Sequence, residues 1–201
     1  GLGEGLGAGS GVGQAGVWNL RVAGNKFVYV VDFSGSIVTV VNDLKRELKR
    51  SIGRLRAGQA FNVILFYGEV RGAERYAVDP FAPELQPATD EMKRNLFDWL
   101  DRKSPQGGTL PVPAMRRALA CRPEAVFFFS DGEFQDSFVD DITLANRQVK
   151  AQLHCLVFDE MILSDNSGMT PRLTEGAKRL KRLAELNKGK TKIVTGADLR
   201  K

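Results

Sequence analysis

The segment Asp32-Phe33-Ser34-Gly35-Ser36 follows an apolar run, Phe27-Val28-Tyr29-Val30-Val31. A strand that stops there leaves one carboxylate and two hydroxyls at a sheet edge, and their spacing lets them face one point. No base stands beside them to activate a nucleophile. An oxygen-only donor set suits a hard divalent cation, and magnesium takes six oxygens at about 2.0–2.1 Å while keeping waters readily. The cation reading needs further oxygens from elsewhere in the chain. Thr109, in the glycine-rich loop Gly107-Gly108-Thr109, and Asp131, in Ser130-Asp131-Gly132, are the candidates.

These residues have to be brought together by the elements between them. Residues 27–33 read as the first strand. Ile37, Val41, Leu44, Leu48, Ile52 and Leu55 then recur at steps of three and four, the spacing of one helix face. Residues 61–67 form the second strand. Gly68 and Glu69 turn the chain into a more polar third strand, residues 71–78. So short a connection makes that pair antiparallel and puts the third strand at an edge. Thr89 caps a helix with Met92, Leu96 and Leu100 on its apolar face and Asp90 and Glu91 in its first turn. A short helix spans residues 114–120. Residues 125–129 are continuously apolar, as expected of a central parallel strand covered on both faces. Residues 138–149 read as helix and 153–158 as strand. Thr170 and Pro171 are expected to open the last helix and Gly189 to end it, with a final strand at 191–195.

The expected architecture is α/β: a doubly wound, Rossmann-like, mostly parallel six-stranded sheet with one antiparallel edge strand and helices on both faces. Ligands of such sheets sit beyond the carboxyl ends of the strands, at the point where strand order reverses. Strand 27–33 and strand 125–129 should lie side by side there, which brings Asp131 to Asp32.

At this point the chain resembles a von Willebrand factor type A domain with a metal-ion-dependent adhesion site. The pattern of that family is Asp-x-Ser-x-Ser after the first strand, a Thr in a glycine-rich loop, and an Asp after a central strand. Asp32, Ser34, Ser36, Thr109 and Asp131 match it in type, order and spacing. The methionine usual after the second serine is Ile37 here, a packing difference and not a ligand difference. The resemblance implies a bound Mg2+ (or Mn2+ or Ca2+), with one or both carboxylates acting through water. A metal held mostly by neutral hydroxyls stays electron-poor, and the family completes it with an Asp or Glu of a partner protein. The resemblance thus implies a non-enzymatic adhesion or scaffold module. Phe33, Gly35, Pro105, Gln106, Gly107, Gly108, Glu133 and Phe134 surround the expected metal and are the candidates for contacting that partner. The family also uses two states in which the last helix slides.

Taken singly, these residues have plainer roles. Ser34 and Ser36 could cap a helix, Asp131-Gly132 could be a turn, and Thr109 could open the helix before Pro111. An aspartate-based phosphotransferase is the alternative enzyme reading. It needs a second acid two positions after the first, where Ser34 stands. The single histidine, His154, lies inside an apolar strand and not beside a nucleophile. A further alternative is a structural domain of a membrane-anchored assembly, since related bacterial proteins join such a domain to an upstream membrane segment through a low-complexity linker.

Residues 1–16 carry glycine at almost every second position and read as a flexible linker, with the domain over 17–201. The match Gly11-Val12-Gly13-Gln14-Ala15-Gly16 precedes the first strand. A dinucleotide site would place it after that strand, at the mouth of a helix. The 201 residues suit one domain, and 43% hydrophobic with 26% charged residues is ordinary globular composition. The net charge of +5 permits an acidic partner, but the basic residues read as solvated helix faces, so nucleic acid is not the expected ligand. Cys121 and Cys155 lack metal-ligand spacing. No segment is long and apolar enough to cross a membrane. The chain begins at Gly1 and reads as a piece of a longer protein, compatible with an upstream anchor at a cell envelope.

Overall fold

The structure, a computed structural model, describes residues 13–68, 77–158 and 173–199. Its main sheet is built from β3 (Lys26–Asp32), β4 (Ala60–Tyr67), β5 (Ala77–Pro80), β6 (Gln86–Pro87), β7 (Ala125–Ser130), β8 (Gln152–Val157) and β9 (Thr191–Ile193), after a small hairpin of β1 (Gln14–Val17) and β2 (Leu20–Ala23). The order across the sheet is β5-β4-β3-β7-β8-β9, and β6 adds to β4. Neighbours are parallel except β5 and β6, both antiparallel to β4. The sheet has seven strands where six were expected. The extra one is the two-residue β6, too short to leave a periodic signal.

Alternate residues of each strand enter opposite cores. Phe27, Tyr29, Val31, Phe127 and Phe129 face α1 (Val41–Gly53) and α2 (Asp90–Asp101). Val28, Val30, Val126 and Phe128 face α3 (Val112–Ala120), α4 (Ser137–Val149) and α5 (Glu175–Leu186). A final turn of helix, α6 (Gly196–Leu199), lies on the first side through Leu199. α1 begins later than its hydrophobic spacing implied, because Gly35–Ile37 forms a separate 3-10 turn. Thr89 caps α2 as expected, accepting from the Met92 backbone at 3.2 Å. α5 is capped by Thr174, whose side chain accepts from the Ala177 backbone at 3.2 Å. Thr170, Pro171 and residues 71–76 of the expected third strand lie outside the described residues. Cys121 and Cys155 are free thiols.

The linker boundary is corrected at its end. Gln14–Gly16 belong to β1, because Ala15 and Val17 point inward between the outward Gln14 and Gly16. Trp18 and Asn19, at φ 40° and 67°, make the two-residue turn to β2, a left-handed pair matched to hairpin twist. The Trp18 ring, 7% exposed, meets Phe158 edge-on at 5.0 Å and Phe129 at 6.3 Å. Its backbone N–H donates to Glu47 of α1 at 2.6 Å, and Arg50 pairs with the other oxygen of that carboxylate at 3.1 Å.

Candidate metal centre

β3 and β7 are neighbours in parallel register, so their ends open on the same rim. Asp32 is the last residue of β3 and is 1% exposed. One of its oxygens accepts from the Ser34 backbone at 3.0 Å, and the other from the Ser130 hydroxyl at 3.1 Å. Ser34 and Ser36 share a hydrogen bond at 3.0 Å, and Ser36 donates to Asp131 at 3.3 Å. Asp131 also accepts from the Glu133 backbone at 2.9 Å. Four of the five expected ligands, Asp32, Ser34, Ser36 and Asp131, therefore form one hydrogen-bonded cluster. Ser130 is the member that sequence reasoning passed over as a ligand-shell residue: its hydroxyl lies between the two carboxylates and accepts from the Gly132 N–H at 3.1 Å.

The Thr109 loop is fastened to the same rim. Gln106 N–H donates to the Phe33 carbonyl at 2.9 Å, Gly35 N–H to Gly107 at 3.0 Å, and Gly68 N–H to Gly108 at 2.5 Å. Gly68 cannot carry a side chain: a Cβ there would stand 2.8 Å from the Gly108 carbonyl carbon and 2.9 Å from the Thr109 nitrogen. Thr109 is half-buried on this loop, but among the described residues its hydroxyl takes no part in the hydrogen bonds of the cluster. The structure thus places the loop and does not join the fifth oxygen to the other four.

α5 closes the other side. A Cβ on Gly176 would fall well inside contact distance of the Asp131 carbonyl, and one on Gly132, at φ 85°, would strike the Gly176 backbone. Arg179, one turn along α5, donates to the Gly132 carbonyl and, at 2.7 Å, to Asp136. Nothing in the local pattern around Gly176 marks it. Its role comes from the close approach of helix and strand end. Gly176→Ala should force α5 away from Asp131, lowering stability by about 1–3 kcal/mol, as overpacked sites do. Chemical denaturation of Gly176→Ala measures that loss.

Of the expected partner-contact residues, Gly35, Gln106, Gly107, Gly108 and Glu133 are exposed around the cluster, and Pro105 is half-buried. Phe33 is not available. It is fully buried, with the Lys45 ammonium 5.9 Å above its ring, because the backbone continues β-like for one residue past Asp32 and turns it inward. Phe134 is half-buried and packs on Phe138 at 4.3 Å.

Electrostatics favour a cation at this rim. Burial raises the Asp32 carboxyl to about 6, and the nearby Asp131 charge adds to that rise against the hydrogen bonds from Ser34 and Ser130. Among the described residues no Lys or Arg pairs with either carboxylate. A buried carboxylate without a cationic partner is costly unless a proton or a metal ion neutralises it. Among the described residues no three His, Cys, Asp or Glu side chains group as a metal site, so a cation here would rely on the hydroxyls as well. The donors are all hard oxygens, which fits Mg2+, Mn2+ or Ca2+. His154 is remote from the rim. It is buried in β8, accepts at Nδ1 from the Lys190 backbone at 3.0 Å, and burial lowers its pKa to about 4.

No protein-family model matches the chain, and no curated protein matches it in sequence. Solved structures do match in shape. A von Willebrand factor type A protein from Catenulispora acidiphila superposes with a TM-score of 0.65 at 18% identity, over 87% of this chain and 40% of that one. The conserved hypothetical protein BatB from Bacteroides thetaiotaomicron gives 0.61 at 19% identity, over 87% of this chain and 94% of that one. The pilus adhesin SpaC from Lactobacillus rhamnosus GG, in an open conformation, gives 0.55 at 15% identity, over 88% of this chain and 29% of that one. The chain spans less than half the length of the first and third of these. At such identities the likeness shows the fold: that of von Willebrand factor type A domains.

Proposed function

We propose that the Asp32–Asp131 rim holds one divalent cation, magnesium or manganese in first place, and that the chain is a protein-binding module rather than an enzyme. The observation that carries this reading is Asp32 itself. It is buried, linked through Ser130 to a second carboxylate, and unmatched by any cationic side chain among the described residues. Ser34, Ser36 and Thr109 would supply neutral oxygens, and Asp32 and Asp131 the charge. A cation so held stays strongly electrophilic toward one more anionic oxygen, which is what an Asp or Glu of a partner protein would bring. The exposed backbone of Gly35, Gly107 and Gly108 leaves room for that partner's chain to approach, and Glu133 would select against partners with additional acidic groups nearby. The pilus adhesin among the structures of the same fold is consistent with an adhesive role.

Manganese binding tests the metal half. Titration followed by the resonance of free Mn2+ should show one site per chain, displaced by Mg2+ and lost in Asp131→Ala. Thr109→Ala should weaken the site without abolishing it. The docking half is tested by a peptide bearing a single Glu. It should bind in Mg2+, not in chelator, and not when that Glu is replaced by Gln. A chain that binds Mn2+ but ignores such peptides would make the metal purely structural. A chain with no Mn2+ site at all would end the proposal.

A further inference from the structure

The pole opposite the Asp32 rim carries a second chemistry. α3, α4 and α5 all end there, beside the starts of β7, β8 and β9. Each is followed, within two residues of its end, by a basic residue with left-handed backbone: Arg122 at φ 48°, Lys150 at 59° and Lys188 at 56°. Glycine or asparagine relieves strain at such positions. Arg116, Arg147 and Lys190 flank them, and all six side chains are exposed. None of the six forms an ion pair among the described residues. Two open clefts lie between the helix ends. One of about 630 Å³ has Arg116 and Arg122 over Leu119, Ala145 and Val149. The other, of about 280 Å³, is bordered by Arg147, Lys150, Lys188 and Leu186, and Leu186 is 51% exposed. Among the described residues the carboxylates near this end of α3, α4 and α5 are few. Glu84 lies beside Cys121, Glu124 accepts from the Asn25 backbone at 2.9 Å, and Glu185 faces Lys181 at 3.8 Å.

A cation at a helix C-terminus complements the dipole. That accounts for one residue per helix, but not for Arg116 or Lys190, nor for an exposed leucine set among the charges. We propose that this pole docks on an anionic lipid bilayer. The six cations would engage headgroup phosphates and carboxylates, with Leu186 entering the interfacial layer. Among the described residues no aromatic ring lines the two clefts to stack on bases, so a single-stranded nucleic acid fits less well.

Vesicle sedimentation in chelator tests this with the whole chain, so that a metal at the opposite rim plays no part. The chain should pellet with phosphatidylcholine vesicles containing phosphatidylserine, not with phosphatidylcholine alone, and release as salt rises. Arg122→Gly/Lys150→Gly/Lys188→Gly should lower partitioning about 100-fold, near fivefold per charge, while melting at the same or a higher temperature. Arg94→Gln/Arg102→Gln/Lys178→Gln removes as many charges elsewhere and should bind as wild type. Absence of wild-type binding to anionic vesicles at low salt overturns the proposal. Equal loss in both triple variants does so too, as does binding to a short DNA duplex with none to vesicles.

Discussion

In chelator at pH 8, Asp32→Asn should melt at a higher temperature than the wild-type chain, and in saturating magnesium the order should reverse. The reason is the burial of Asp32 beside Asp131. Its carboxyl titrates near 6 in the folded protein, against an ordinary value of 3.8. Between these values the folded state holds a proton that the unfolded state has released. Metal-free stability therefore declines as pH rises from about 4 to about 6 and levels off above, a loss of about 3 kcal/mol. Asparagine keeps a hydrogen-bonding side chain of the same shape and removes the charge, so the variant escapes that loss. A bound dication would invert the balance, since it rewards the charged form. At a thousandfold excess over its dissociation constant it would add about 4.1 kcal/mol to the wild type, more than the loss from burial, and nothing to the variant. Melting curves from pH 4 to 8, with and without magnesium, measure both arms. Equal shifts of the two proteins in magnesium would place the cation elsewhere or nowhere.

Trp18→Ala has an effect of comparable size, though it lies outside the rim. The ring is almost wholly buried against Phe129 and Phe158. Removing a buried aromatic costs about 3–5 kcal/mol, through lost transfer energy and the cavity that remains. In a chain of this length that is a fall of about 10 °C in melting temperature. Phe129 immediately precedes Ser130 and Asp131, so the cavity opens behind the strand end that carries the second carboxylate. Metal affinity should drop along with stability in Trp18→Ala. In Trp99→Ala, whose ring packs on Phe81 at the far edge of the sheet, it should not. Urea denaturation and Mn2+ titration of the two variants separate these outcomes.

The parallel core was legible because its strands are pure apolar runs. A run such as Ala125–Phe129 has no other place than a sheet covered on both faces. The convergence of Asp32 and Asp131 followed from topology alone, and β3 beside β7 is the observed pairing. Three other features left no local trace. The hairpin turn at Trp18-Asn19 lacks the glycine that normally signals left-handed pairs, and glycine-rich flanks disguised β1 as linker. Ser130 reads as the end of a strand, and only its place between two carboxylates gives it a role. The basic pole is assembled from Arg116, Arg122, Arg147, Lys150, Lys188 and Lys190, spread across more than seventy positions. In the sequence these look like ordinary solvated helix residues, and only the common direction of α3, α4 and α5 gathers them. Thr109 marks the reverse case, where the pattern named a ligand and the fold positions its loop without linking its hydroxyl.

The hairpin also determines how the domain would bear tension. Gly13 is held where β3 begins, accepting from Gly24 at 2.9 Å and donating to Asn25 at 3.3 Å. Asp32 closes the same strand about 20 Å away. A pull between a partner gripped at that rim and the chain preceding Gly13 thus runs along the strand axes. Such a load would enter the β1–β2 ladder at its open end, where Gln14 pairs with Ala23, so its hydrogen bonds would give way one by one toward the Trp18-Asn19 turn. The wedged indole of Trp18 acts as the bolt at the far end, and the strands bearing the grip would be the last to feel the strain.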